Sequence, residues 1–289
     1  MVNSKKSLFC FGPGFSVKVL ARQLINENWS ICGTFREAAD AEELTALGIE
    51  PIPYEAAEAA LAGAAAILSS VPPSVEGDPV LARYGDQLKE ISNKTWLGYL
   101  STTGVYGDTG GALVDESAPL NPSNDRSQWR ATAERGWLEI SAHIFRLAGI
   151  YGQGRSSMDR LRSGLARRID YPGHLFSRIH TEDIAQTLMA SLAQPNPGQI
   201  YNLCDDEAAE QQQVEAFAAG LLGIEPPPLV PFDEALKEMS PIAKTFWQDN
   251  RRVDNARIKN ELGINLVYPT YREGLTAIYQ SSDGAGQSG

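Results

Sequence analysis

The sequence has little of what staples or anchors a chain. Its three cysteines, Cys10, Cys32 and Cys204, stand far apart and offer neither a CxxC pair nor a metal-ligand spacing. Cys10 and Cys32 fall in apolar, strand-like runs and read as buried free thiols, which suits a reducing cytoplasm, the expected location. No apolar run approaches the length of a membrane span. The run Leu8–Phe11 behind Lys5 and Lys6 is too short for a signal peptide. A long run of Lys or Arg is also missing, and the formal net charge is -11, so neither nucleic acid nor an anionic membrane surface is an expected partner. The acidic pair Asp115-Glu116 has no further ligand near it in sequence, so no metal site is expected. Asp205, Asp206 and Glu207 read as turn and cap residues.

What is present is an ordinary globular composition, 43% hydrophobic and 21% charged, over 289 residues. That length builds one large domain or two modest ones. Short apolar runs alternate with helical patterns in the first half. Leu8–Phe11, Trp29–Phe35, Ala64–Ser70, Trp96–Ser101 and His143–Leu147 read as strands, and Phe15–Glu27 and Ala38–Leu47 as helices. Such alternation predicts an α/β fold, a parallel sheet covered by helices on both faces. Val17, Leu20, Ala21 and Leu24 recur at helical spacing as the face that meets the sheet. Beyond Tyr151 the texture changes, with turns at Pro172-Gly173 and Pro195–Gly198. Thr181 is the expected N-cap of a helix, Ile200–Cys204 a late strand, and Pro226–Pro228 a break. The expected division is a nucleotide domain over residues 1–150, its sheet completed by about 175–205. A smaller cap would come from 151–174 and 206–280, and a disordered Ser/Gly-rich tail from 281–289.

Gly12-Pro13-Gly14-Phe15-Ser16-Val17 joins the first strand to the first helix. Gly12 permits the tight turn, Gly14 lets a diphosphate approach the backbone, and the helix N-terminus supplies amide donors at the positive end of its dipole. Val17 stands at the third glycine position, where it demands room but removes no donor. The second strand ends at Thr34-Phe35-Arg36 rather than at the acidic residue that selects NAD. A guanidinium pairs with a 2′-phosphate, so the expected cofactor is NADP, with NAD as the alternative. Ser69, Ser70 and Val71, followed by Pro72-Pro73, end the next central strand and should line the same crevice.

Ser101-Thr-Thr-Gly-Val-Tyr-Gly107, Val114-Asp-Glu116, Arg126-Ser-Gln-Trp-Arg130 and Glu134 together resemble the extended short-chain dehydrogenase/reductase pattern. Arg146–Gly152, Ser177–Asp183, Tyr201-Asn202 and Arg272–Leu275 extend the likeness over nearly the whole chain. The fit is to an atypical, epimerase/dehydratase-like branch. The resemblance implies a Rossmann doubly wound sheet with a smaller C-terminal substrate cap, and by analogy a homodimer. It places Thr102 where a Ser or Thr orients the substrate oxygen beside the cofactor, and Gly149 and Ile150 next to the nicotinamide. Arg130 stands in the position of the family's Lys, at the nicotinamide ribose, and Arg126 in that of its Tyr.

Hydride transfer at a carbonyl needs a matching proton transfer at oxygen. A guanidinium with a pKa above about 12 cannot supply that proton, so Arg126 does not replace a tyrosine. Tyr106 is the leading substitute, with Tyr151 and His180 as further candidates on the substrate side. Arg126 and Arg130 alternatively clamp a substrate phosphate or carboxylate. Two functions follow. One is an NADP(H)-dependent oxidoreductase or epimerase-like enzyme acting on a small carbonyl or sugar-nucleotide-like metabolite. The other is a non-catalytic, redox-responsive dinucleotide-binding regulator, motivated by the missing Tyr-x-x-x-Lys.

Overall fold

The computed structural model describes residues 5–284. One sheet dominates it. Its strands are β1 (Ser7–Phe11), β2 (Ser30–Phe35), β3 (Ile49–Pro53), β4 (Ala66–Ser69), β5 (Trp96–Thr102), β6 (His143–Leu147) and β7 (Ile200–Leu203). All pair in parallel, in the order β7-β6-β5-β4-β1-β2-β3. The helices are α1 (Phe15–Asn26), α2 (Ala38–Ala46), α3 (Glu58–Gly63), α4 (Pro79–Ile91), α5 (Asp125–Glu139), α6 (Ser157–Arg162), α7 (Thr181–Ala193), α8 (Gln211–Leu222), α9 (Phe232–Glu238), α10 (Pro241–Trp247), α11 (Ala256–Leu262) and α12 (Tyr271–Gly284). The strand order reverses between β1 and β4. At that switch the carboxyl ends of the strands open a crevice between diverging connections.

The apolar run of β1 is continuous because both faces of the sheet are covered. Its alternation divides the core into two layers. Leu8 and Cys10 pack with Leu20 and Leu24 of α1 and Leu188 of α7. Phe9 and Phe11 pack with Val80, Tyr84 and Leu88 of α4 and Trp137 of α5. The Trp137 indole donates to Asp78 Oδ2 at 3.0 Å, and Asp78 also caps α4 through the amides of Val80 and Leu81. A third apolar cluster, including Tyr151, Met158, Val214, Ala218, Tyr271 and Leu275, forms under α6, α8 and α12.

The chain departs from its sequence reading in four places. β3, which contains Pro51 and Pro53, is a strand beyond those read from the sequence. Both are tolerated because β3 is the edge strand, where a missing N–H breaks no ladder on the outer side. His180, not Thr181, caps α7, its Nδ1 accepting from the Glu182 amide at 3.2 Å, while Thr181 is buried as the first helical residue. Val253, Ile258, Leu262 and Ile264 pack into the sheet-side core with Leu203, so residues around α11 do not lie with the cap cluster. Finally, α12 continues through Ser281 to Gly284, and the rest of the expected disordered tail lies outside the described residues. Of the thiols, Cys10 and Cys204 are buried and Cys32 is half-buried, all unpaired.

Candidate functional site: a phosphate loop opening on an arginine-lined cleft

The loop from Gly12 to Val17 is built around two close approaches. Gly12 adopts φ +63°, and a Cβ there would come within 3.0 Å of Val71 Cγ2. The Gly12 amide donates to Thr34 Oγ1 at 2.9 Å, and Ser70 Oγ donates to the Gly12 carbonyl. Pro13 is seated on Gly33, where a Cβ would meet its ring at 2.7 Å. Gly14 is the N-cap of α1, and among the described residues no side chain caps the first-turn amides of that helix. Two hydroxyl oxygens nearby in the fold, Ser16 Oγ and Ser69 Oγ, are buried without a hydrogen-bond partner. Val17, at the third glycine position, is buried in the sheet-side core.

Thr34 is therefore tied into the loop, and Arg36 is exposed just past the end of β2. Burial pushes the neighbouring Tyr54 hydroxyl up to about 12, with Arg83 and Arg36 opposing the shift.

Beside this loop lies a cleft of about 900 Å³ at the carboxyl ends of β5 and β6. The register sets Thr102 opposite Leu147, so both strands deliver their last residues to its floor. Thr102, Arg126, Arg130, Gly149, Ile150 and Tyr151 all line it. Thr102 Oγ1 accepts from the Gly104 amide at 3.1 Å and keeps its own hydrogen free to donate. Arg126 and Arg130 stand one turn apart on α5. The Arg130 guanidinium reaches the Leu100 carbonyl at 2.7 Å and the Tyr99 hydroxyl at 3.2 Å, and lies over the Tyr99 ring. Arg126 is exposed on the cleft wall.

Tyr106 does not stand in this cleft. It is 1% exposed, its hydroxyl donates to Asn202 Oδ1 at 2.7 Å and accepts from Arg146 Nη1 at 2.8 Å. Arg146 in turn holds Glu134 through three hydrogen bonds, and Ser101 Oγ donates to Glu134 at 2.5 Å. Burial raises the Tyr106 hydroxyl above its ordinary value, with Arg146 opposing. The expected proton donor is thus a structural member of a buried charge network. Tyr151 lines the cleft with its ring, but its hydroxyl turns towards the Thr270 carbonyl and presses on Gly274. His180 is buried between Tyr151 and Tyr268, and burial lowers its pKa to about 4. It caps α7 and does not reach the cleft. Glu116 is likewise a core residue, accepting from the Asn202 amide at 2.8 Å, and Asp115 closes a turn on Ser117.

Sequence reasoning passed over the cleft's remaining charge. Arg155, Arg160, Arg178 and Arg251 complete a set of six arginines facing two aspartates, Asp159 and Asp249. Asp249 is held by Arg251 at 2.9 Å, and Arg160 is held by the buried Glu215. Arg178 donates to the carbonyls of Phe176 at 2.8 Å and Ala209 at 3.1 Å and lies over the Phe176 ring. Burial pushes both Arg178 and Arg251 down from the usual arginine range. The missed signal was local: Arg155 follows the glycine turn 152–154 at a strand end, and Arg178 sits inside the return segment. Among the described residues no helix is long and apolar enough to cross a membrane.

A parallel seven-stranded sheet with a glycine loop after β1 and a crevice at the strand reversal is a doubly wound, Rossmann-like fold, which solved sugar-nucleotide dehydratases and epimerases share. Solved structures agree. The dTDP-glucose 4,6-dehydratase of Bacillus anthracis, in complex with NAD, superposes with a TM-score of 0.75 at 16% identity, over 96% of this chain and 97% of that one. The UDP-glucuronic acid 4-epimerase of Bacillus cereus, also with NAD, gives 0.73 at 14% identity, over 95% and 96%. Within this fold the chain belongs to the same family as a conserved protein of unknown function from Silicibacter pomeroyi, with 47% identity and a TM-score of 0.91 over 96% of this chain and 100% of that one. No protein-family model and no curated protein matches it.

Proposed function

We propose that the protein binds a nicotinamide dinucleotide along the crevice and acts as an oxidoreductase or epimerase-like enzyme on a small carbonyl or sugar-nucleotide-like metabolite. One observation carries this reading. The first-turn amides of α1 have no side-chain cap among the described residues, and the Ser16 hydroxyl among them is buried without a partner. An unsatisfied donor set at a helix N-terminus fits a diphosphate. The dinucleotide complexes of the fold's dehydratase and epimerase members support the same ligand class. Arg36, exposed beyond β2, favours the 2′-phosphate form, so NADP(H) is the proposed cofactor over NAD(H).

The nicotinamide, when bound, supplies or accepts a hydride at the substrate carbon. Thr102 offers its free hydroxyl hydrogen to the substrate oxygen. Arg126 and Arg130 place positive charge along the same wall, which stabilises oxygen as negative charge develops on it. With Tyr106 and the Tyr151 hydroxyl turned elsewhere, Thr102 is the hydroxyl on this wall that can pass a proton from solvent to that oxygen. The test is turnover of NADPH with a panel of small carbonyl compounds and nucleotide sugars, comparing the native protein with Thr102→Val. Turnover that disappears in the variant while dinucleotide affinity stays unchanged supports the assignment. Equal turnover in both removes Thr102 from the chemistry.

A second reading, a non-catalytic redox-responsive regulator, is favoured by the same tyrosine geometry. It predicts dinucleotide binding without turnover of any compound in that panel.

A further inference from the structure

The turn between the cap and the sheet presents one arginine to the phosphate loop. Gly152 and Arg155 exchange backbone hydrogen bonds at 3.1 and 3.0 Å, closing a tight turn in which Gly154 has φ +78°. Both ends of the turn are fixed. Gly152 is packed against Thr181, leaving no space for a Cβ. Ser156 caps α6 through a reciprocal box with Asp159, its hydroxyl donating to Asp159 Oδ2 at 2.6 Å. The Arg155 side chain leaves this turn towards α1, and its guanidinium carbon lies 5.6 Å from the centre of the Phe15 ring. Phe15 is the first residue of α1, in the same turn as the orphaned Ser16 hydroxyl. Arg155 also lines the cleft and makes no ion pair among the described residues. An exposed guanidinium, stacked on an aromatic face beside uncapped amides, keeps its N–H donors free for an anion.

We infer that Arg155 is a positioning residue for the dinucleotide, a clamp carried by the cap-side turn that pairs with the ligand's diphosphate from the face opposite the α1 amides. This rests on the dinucleotide reading above and adds a consequence to it. The consequence is that the loop's ligand is held from two elements, the start of α1 and the turn that leads into α6. The Phe15 ring holds the guanidinium in place, and its planar donors suit phosphate oxygens better than an ammonium would.

The test is calorimetric titration of the full chain with ADP-ribose, which carries the diphosphate without the nicotinamide, and with NADPH. Arg155→Met should weaken both by about tenfold or more, the range of a lost charge-assisted hydrogen bond. Arg155→Lys should recover part of the loss. The ligand-free melting temperature should stay the same in all three proteins, and the salt dependence of ADP-ribose binding should be shallower for Arg155→Met than for the native chain. Unchanged ADP-ribose affinity in Arg155→Met overturns the clamp while leaving the dinucleotide reading intact. So does an Arg155→Lys protein as weak as Arg155→Met with the same salt slope, which would mean packing rather than charge. Failure of the native protein to bind either ligand sinks the dinucleotide reading itself, and the clamp with it.

Discussion

The two sides of the cleft are built by different means. On the phosphate-loop side, every close approach is local to the sheet edge: Gly12 against Val71, its amide on Thr34, Pro13 on Gly33. The groups involved are backbone and small side chains within neighbouring strands. On the substrate side, the walls come from α5, from the turn after β6 and from segments around Phe176, Trp247 and Arg251, more than a hundred residues apart. There the binding groups are long and charged: Arg130 and Arg160 are held by partners far away in sequence, Arg178 and Arg251 by near neighbours as well. A strand-turn-helix pattern shows the glycines of the first kind of site in one stretch of sequence, although Thr34 and Val71, which pack on them, come from later strand ends. The second kind exists only once the chain has folded.

This contrast explains what could be read in advance. The glycine loop, the parallel sheet and the segments that carry Thr102, Arg126, Arg130, Gly149 and Ile150 were legible from local pattern and resemblance, whereas the order of the strands was not. Tyr106 went the other way because the groups that bury its hydroxyl, Arg146 and Asn202, lie 40 and 96 residues away. His180 was misplaced for a similar reason: its ring is enclosed by Tyr151 and Tyr268. Arg251 gave no local signal, and the return segment around Arg178 did not show that its guanidinium lines a cleft.

The largest expected effect lies beneath the substrate side. Arg146→Met strands the buried Glu134 carboxylate, which is 1% exposed, and should cost about 3–5 kcal/mol in urea denaturation. A loss below about 1 kcal/mol would mean that Glu134 is satisfied without its arginine.

A smaller effect sharpens the phosphate-loop side. Gly12→Ala forces a left-handed backbone on a residue with a Cβ and crowds Val71. It should cost about 1–2 kcal/mol and weaken dinucleotide binding more than it weakens the fold. Normal binding in that variant would break the claim that this turn is the ligand's seat.

Tyr106→Phe distinguishes scaffold from chemistry. It leaves Asn202 Oδ1 and one Arg146 N–H without their partner, so about 1–2 kcal/mol of stability should go while any turnover persists. Loss of turnover with full stability would return Tyr106 to the reaction.

The last effect is a pH slope, small over any one pH unit. Burial raises the Asp205 carboxyl from 3.8 to about 8. Between those values the folded chain holds a proton that the unfolded chain has released, so this group's contribution to stability falls as pH rises. Asp205→Asn removes that dependence. The variant should therefore gain on the native protein by about 1 kcal/mol for each pH unit between pH 5 and pH 8, read from denaturation midpoints at each pH. Parallel curves would show that Asp205 is ionised throughout.

The central claim is that the turn after β1 and the uncapped start of α1 seat a dinucleotide. Titrating the native protein with NADPH and with NADH in a calorimeter tests it most directly. The account predicts saturable, one-to-one binding of both, tighter for NADPH because of Arg36. Absence of binding heat from either coenzyme at millimolar concentration would contradict it.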